Sequence, residues 1–211
     1  MSEPKFRPLT FGVTRVTLRG SDGGVQYLSA EQPLNDWRAP DATENAFDDE
    51  GHFCTGDAVK WIDGANIHGG LKFDGRIAED FKLATGTFAS VGPLRAKIIA
   101  AGAPYVQDAV LTGINGHEVG ALIFPTAAGR ALHSDLAATH FQQMVNDLAS
   151  TATGSATRIA RLHVMHEPPS IDKGEVTDKG SINQSAVLAH RHALAQALHL
   201  DQVQTILKPD R

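Results

Sequence analysis

The chain has 211 residues, 42% of them hydrophobic, and a net charge of −5, enough apolar material for one domain with a generous extra piece or for two small ones. There is no basic surplus for nucleic acid or an anionic membrane, and no apolar run approaches the roughly 20 residues of a membrane span. The start, MSEPKFRPLTFG, has no apolar stretch behind Lys5 and Arg7 and does not read as a secretory signal; Cys54, the single cysteine, cannot close an internal disulfide, so a cytoplasmic location is expected.

Residues 6–29 alternate loosely, and Ser21–Gly24 between two β-prone runs predicts a hairpin. A lone hairpin is marginal in water, so this one has to lean on something else. Residues 31–51 are acidic, carry Pro33 and Pro40, and predict a loop with at most one helical turn near Ala42–Phe47. Ala58–Ile62 and Leu71–Phe73 predict short strands around the loop Asp63–Gly70. Gly92–Ala103 sets Leu94, Ile98 and Ile99 at helical spacing and stops at Gly102 and Pro104. Val106–Ile114 and Glu118–Phe124 are predicted strands joined by Asn115-Gly116, a strong hairpin signal. Residues 131–150 put Leu132, Leu136, Phe141, Met144, Val145 and Leu148 on one helical stripe, Ile159–Met165 reads as a strand, and Gln184–Leu198 as an Ala-rich helix. Strands and helices are mixed rather than strictly alternating, which predicts an α+β fold, a small mixed sheet with helices packed on it.

Four local features could carry chemistry. Thr55-Gly56-Asp57, just before a predicted strand, reads either as a turn capped by its carboxylate or as an acceptor for a diol such as a ribose. Phe73-Asp74-Gly75-Arg76 holds an Asp-Gly turn, and the mixed charges that follow it fit a solvated loop or a hinge with cationic arms. Thr177–Gln184 lies on a polar loop, 172–183, where Lys179 serves solubility or delivers an amine to a phosphate. Ten histidines include His163/His166 and His190/His192, but spacings of three on a strand and two on a helix send the members of each pair to different faces, so no metal site is expected. Cys54 has no base at motif distance and reads poorly as a nucleophile.

In order, WRAPDATENAFDDEGHFCTGD (37–57), FDGR (73–76) and the Lys82-to-Gly86 segment resemble the closing third of the adenylate-forming acyl-CoA ligases. The wording of GRIAEDFKLATGTFASVG (75–92) and GEVTDKGSINQSAVL (174–188) is most similar to feruloyl-CoA synthetases. The resemblance implies a two-step reaction, in which ATP and a carboxylic acid give an acyl-adenylate and pyrophosphate, and coenzyme A then displaces AMP, with Mg²⁺ accompanying the ATP. It also implies a small C-terminal α+β domain that swings on a hinge against a large N-terminal one. Carried over residue by residue, Asp57 and Arg76 would hold the ribose hydroxyls of ATP, the hinge would fall at Ala78 or Glu79, and Lys82 through Gly86 would face the coenzyme A channel. Most members place the adenylation lysine directly after the last motif's glycine; here that position is Ser181, and Lys179 is the nearby substitute.

The expected layout is a leader with a hairpin over 1–36, a linker and two-stranded hairpin over 37–75, and the lid domain over 76–211. Residues 6–34 are similar to the very start of a feruloyl-CoA synthetase, and near Asn35–Trp37 the chain passes to the family's C-terminal portion. The Ser/Thr/Gly-rich loop that embraces the ATP phosphates is missing, which implies an internal deletion and little or no activity for the chain alone. The alternative is a binding module or a decayed gene product that dimerises or docks on a ligase's N-terminal domain; an apolar patch around Phe81, Phe88 and Val91 would favour it. By family the acid would be a hydroxycinnamate; neither nucleic acid nor membrane is an expected partner.

Overall fold

The computed structural model describes residues 15–18, 25–29, 53–63 and 66–210. The loop and helical turn expected over 31–51 lie outside them. The chain divides into two compact units, residues 1–78 and 79–211.

In the first unit, β1 (Arg15–Leu18), β2 (Val25–Ser29), β3 (Phe53–Trp61) and β4 (Leu71–Arg76) form an antiparallel sheet in that order. The predicted hairpin forms, with Leu18 opposite Val25, and what it leans on is β3. Two bulges correct the sequence reading. Thr55-Gly56-Asp57 does not precede β3 but lies inside it: the register slips between Gln26–Ala58 and Leu28–Cys54, and Gly56 takes φ +72°, so the strand continues through the glycine. Asp74-Gly75 is likewise no turn. Ala58 faces Gly75 and Val59 faces Phe73, so Asp74 is the extra residue of a bulge in β4. Its carboxylate pairs across the strands with Lys60. After β4 a 3₁₀ turn, Ile77–Glu79, follows with none of its residues buried, and the unit boundary falls inside it, between Ala78 and Glu79.

The second unit is α+β. The two-stranded ribbon of β5 (Phe81–Lys82) and β6 (Phe88–Ala89) leads into α1 (Val91–Ala101). A three-stranded sheet, in the order β7 (Val106–Thr112), β8 (Val119–Pro125) and β9 (Ile159–Val164), is antiparallel between the first two strands and parallel between the last two. The Asn115-Gly116 hairpin closes as predicted, with Asn115 at φ +57°. All seven residues of β8 are buried because helices cover both faces of the sheet. Ala121 and Ile123 enter the core with Leu94 and Ile98 of α1 and with Phe141, Met144 and Val145. Leu122 and Phe124 enter a second core with Val187 and Leu198.

Two predicted helices are corrected. The span 131–150 is helical only from Ser134, as α3 (Ser134–Ser150); a separate short helix, α2 (Ala127–Arg130), precedes the span, and Leu132 is in neither. Leu136 is 63% exposed, because five residues from Phe141 put it about 140° around the helix. The span 184–198 is α4 (Gln184–His190) and α5 (His192–His199), interrupted at Arg191, whose φ is −106° and ψ 25°. Beyond α5 the chain returns to β9, where Leu207 and Leu162 exchange both backbone hydrogen bonds at 2.9 Å. Asp210 and Asn146 of α3 are joined by two further hydrogen bonds.

Candidate functional site

The expected site residues divide between the units. In the first, Asp57 and Arg76 are direct partners across β3 and β4, and Arg76 Nε lies 3.6 Å from Asp57 Oδ1. The glycines beside them, Gly56 and Gly75, hold φ of +72° and +115° and shape the two bulges that set this register. Arg76's side chain is 64% exposed and that of Asp57 34%, and because Asp57 Oδ1, which faces Arg76, is buried, the pair reaches solvent through the guanidinium and the rest of the Asp57 side chain. Their chemistry fits a ribose diol.

Lys82 and Gly86 lie in the second unit. Lys82 pairs with Phe88 across the ribbon, and its ammonium stands 5.8 Å from the Phe88 ring centre. Gly86, at φ +87°, closes the loop by donating from its N–H to Leu83 O, 2.9 Å. The ribbon is tied to the tip of the β7–β8 hairpin: Asn115 N donates to Lys82 O and Ala84 N to Gly116 O, at 2.9 and 2.8 Å. Asp80 Oδ1 accepts from Val91 N, the first amide of α1, at 2.8 Å, which supplies the cap that Ser90's side chain does not make. Arg95 forks onto Asp108 with both contacts at 2.5 Å, joining α1 to β7. The apolar patch around Phe81, Phe88 and Val91 that would favour a docking module is not formed by these three side chains. Phe81 and Val91 are buried in the core at 6% and 0% exposure, and of the three only Phe88 is exposed.

Lys179 is exposed on a tight turn, not on a free loop. Thr177 N donates to Ser181 O and Gly180 N to Thr177 O, both at 2.8 Å, with Gly180 at φ +78°. Val176 bridges Ile182 below the turn. Asn183 then caps α4 by accepting from Ala186 N. The structured base of this turn went unread in the sequence. Glu175 is 1% exposed and paired with Arg191, and Gln184, 2% exposed, accepts from Leu111 N at the outer edge of β7. A charged residue next to a glycine in a polar loop gives no sign of burial; the only available signal was that Arg191 falls on the inner side of an Ala-rich helix.

The histidines do separate work. His163 is buried on β9 and its Nδ1 lies 3.1 Å from Thr205 O, while His166 is exposed beyond the strand. His199, half-buried, sits 2.9 Å from Thr112 Oγ1. Among the described residues no three His, Cys, Asp or Glu side chains come together to hold a metal, and no helix is long and apolar enough to cross a membrane.

A model of the AMP-binding enzyme C-terminal domain matches residues 81–198. No sequence among curated proteins matches the chain. Among solved structures it is similar to the adenylation domain of a carboxylic acid reductase from Segniliparus rugosus, in complex with AMP and a carboxylic acid, at 18% identity and TM-score 0.69, over 92% of this chain and 32% of that one. The corresponding domain from Mycobacterium chelonae gives 20% identity and TM-score 0.70, over 91% and 32%. The anthranilate CoA ligase AuaEII, in complex with anthranoyl-AMP, gives 18% and 0.59, over 87% and 34%. At these identities the likeness is one of fold. The chain spans about a third of the length of these proteins.

Proposed function

The chain belongs to the AMP-binding enzyme C-terminal domain family, and on that footing we propose that it is the swinging lid of a hydroxycinnamate–CoA ligase of the feruloyl-CoA synthetase type. The observation that carries this reading is the division of the chain between Ala78 and Glu79, within an unburied 3₁₀ turn, two residues before the matched family segment begins at residue 81. A short exposed turn between two units that each have their own sheet can absorb a large backbone change. Ala78 and Glu79 form the hinge in this reading.

In the proposed reaction the acid's carboxylate attacks the α-phosphorus of ATP and expels pyrophosphate, after which the thiolate of coenzyme A attacks the acyl carbon and expels AMP. Asp57 accepts from the ribose hydroxyls while Arg76 orients its carboxylate and donates to the same sugar. Lys179 offers a positive charge to the transferring phosphoryl group. Lys82 and Gly86, on the ribbon, line the path of the pantetheine arm. Mg²⁺ arrives with ATP. Preference for feruloyl-type acids is supported by the wording of residues 75–92 and 174–188, and a cytoplasmic location belongs to the same reading.

Adenylation needs phosphates, acid and metal held together, and positioning supplies much of its rate. The 211-residue chain is therefore proposed to work on an N-terminal ligase domain rather than alone. The test is ferulate-dependent ATP–pyrophosphate exchange by the chain, by the separately expressed N-terminal portion of a feruloyl-CoA synthetase, and by the two together. Exchange is expected only in the mixture, reduced about tenfold or more by Asp57→Ala through loss of ribose positioning. Robust turnover by the chain alone, or none in the mixture, would refute it.

A further inference from the structure

Lys179 rides on a turn whose base is held by a buried ion pair. Glu175 uses both oxygens: Oε2 accepts from Ser170 N and from Arg191 Nη2, each at 2.7 Å, and Oε1 from Arg191 Nε at 3.0 Å. Arg191 donates again to the carbonyls of Pro168 at 2.8 Å and Glu167 at 3.3 Å. Its guanidinium stands 5.2 Å over the ring centre of Phe124, near the C-terminal end of β8. The turn springs from this cluster. Asn183 N donates to Glu175 O at 2.9 Å, Val176 bridges Ile182, and Ile182 is itself buried in the core. The helix break at Arg191 lets one residue reach the Glu175 carboxylate and two loop carbonyls at once.

A buried ion pair is a poor way to add stability, because its desolvation offsets most of the attraction, but removing one partner leaves the other stranded. Its contribution is geometric. A solubilising surface lysine has no need of a base fixed at Glu175, Ile182 and Gln184. We propose that the Glu175–Arg191 pair is a positioning device for Lys179: it fixes the base of the Thr177–Ser181 turn, so that the amine meets its phosphoryl group on a preformed turn. This rests on the assignment of Lys179 to adenylation.

The test uses the full chain as wild type, Glu175→Gln, Arg191→Lys and Lys179→Ala. Amide hydrogen exchange at Thr177, Gly180 and Asn183 is expected to quicken about tenfold in Glu175→Gln, with Leu122 and Ile123 of β8 unchanged. Arg191→Lys, which keeps the charge but loses the fork, is expected to fall between, and it decides the matter if Glu175→Gln loosens β8 as well. In the mixture with the N-terminal portion, both positioning variants should lower kcat for adenylation about tenfold at unchanged KM for ATP, and should leave thioester formation from preformed feruloyl-adenylate as it was. Turn amides as protected in both variants as in wild type overturn the proposal by itself. Full stimulation by Lys179→Ala overturns the assignment of Lys179, and the positioning role with it.

Discussion

Glu175 and His199 give the second unit two separate sensitivities to acid. The hydrogen bonds from Arg191 hold the Glu175 carboxyl below its ordinary value of 4.5, against the opposing effect of burial and with smaller help from Ser170 N and the charge of His190. Burial pushes His199 below 6.5, and Arg161 adds to this while Glu118 and Asp201 oppose it. Both groups therefore bind protons less readily folded than unfolded, so each contributes stability at neutral pH that is lost on acidification. His199's share falls away as pH drops below about 6.5, and Glu175's as pH drops below about 4.5. Urea midpoints measured from pH 8 to 3 should show both declines. His199→Gln should erase the first and Glu175→Gln the second. Asp57 and Arg76 were legible as a pair only through the likeness of residues 37–57 and 73–76 to the adenylate-forming ligases. Glu175 was not, because its burial is created by Arg191, sixteen positions away, and by loop carbonyls that no local pattern announces.

At the scale of elements, the sheet of the second unit was readable wherever turn chemistry and apolar runs agreed. β7 and β8 with Asn115-Gly116 between them are the clearest case, and the fully apolar β8 is explained by helices on both sides. Leu122→Ala should cost about 2–5 kcal/mol, whereas Leu136→Ala, at 63% exposure, should stay within about 0.5 kcal/mol; denaturant unfolding separates the two. What the apolar pattern did not reveal were the interruptions. Periodicity runs on through residues 131–133, which the structure leaves outside both α2 and α3, and through Arg191, where the contacts with Glu175 and the loop lie outside the pattern. In β3 and β4 the glycines at 56 and 75 predict turns by local chemistry alone. A positive φ serves a bulge as well as a turn, and only the partner strand decides which it is.

At the scale of the molecule, residues 79–211 contain both apolar cores described, every member of which lies between Phe81 and Leu207. A fragment beginning at Glu79 should therefore unfold cooperatively by itself, with a urea midpoint close to that of the corresponding transition in the full chain. Limited proteolysis of the full chain should cut first at Ile77–Glu79 among the described residues, since none of the three is buried. The family was legible from the wording of short stretches, residues 37–57, 73–92 and 174–188. The way those stretches share out between two units follows from the exposed turn at Ala78 and Glu79, which carries no compositional mark.

The pairing of Leu207 with Leu162 bears on how the domain is handled at the bench. The matched family segment stops at residue 198, before that pairing. An expression clone trimmed to residues 81–198 would strip the outer side of β9 and leave its N–H and C=O groups bare, an open edge that invites strand-by-strand association. Such a trimmed protein should run as aggregates in size-exclusion chromatography while a 79–211 version stays dispersed. The useful boundary for making this domain is thus set by a sheet edge some ten residues past the last residue that family likeness covers.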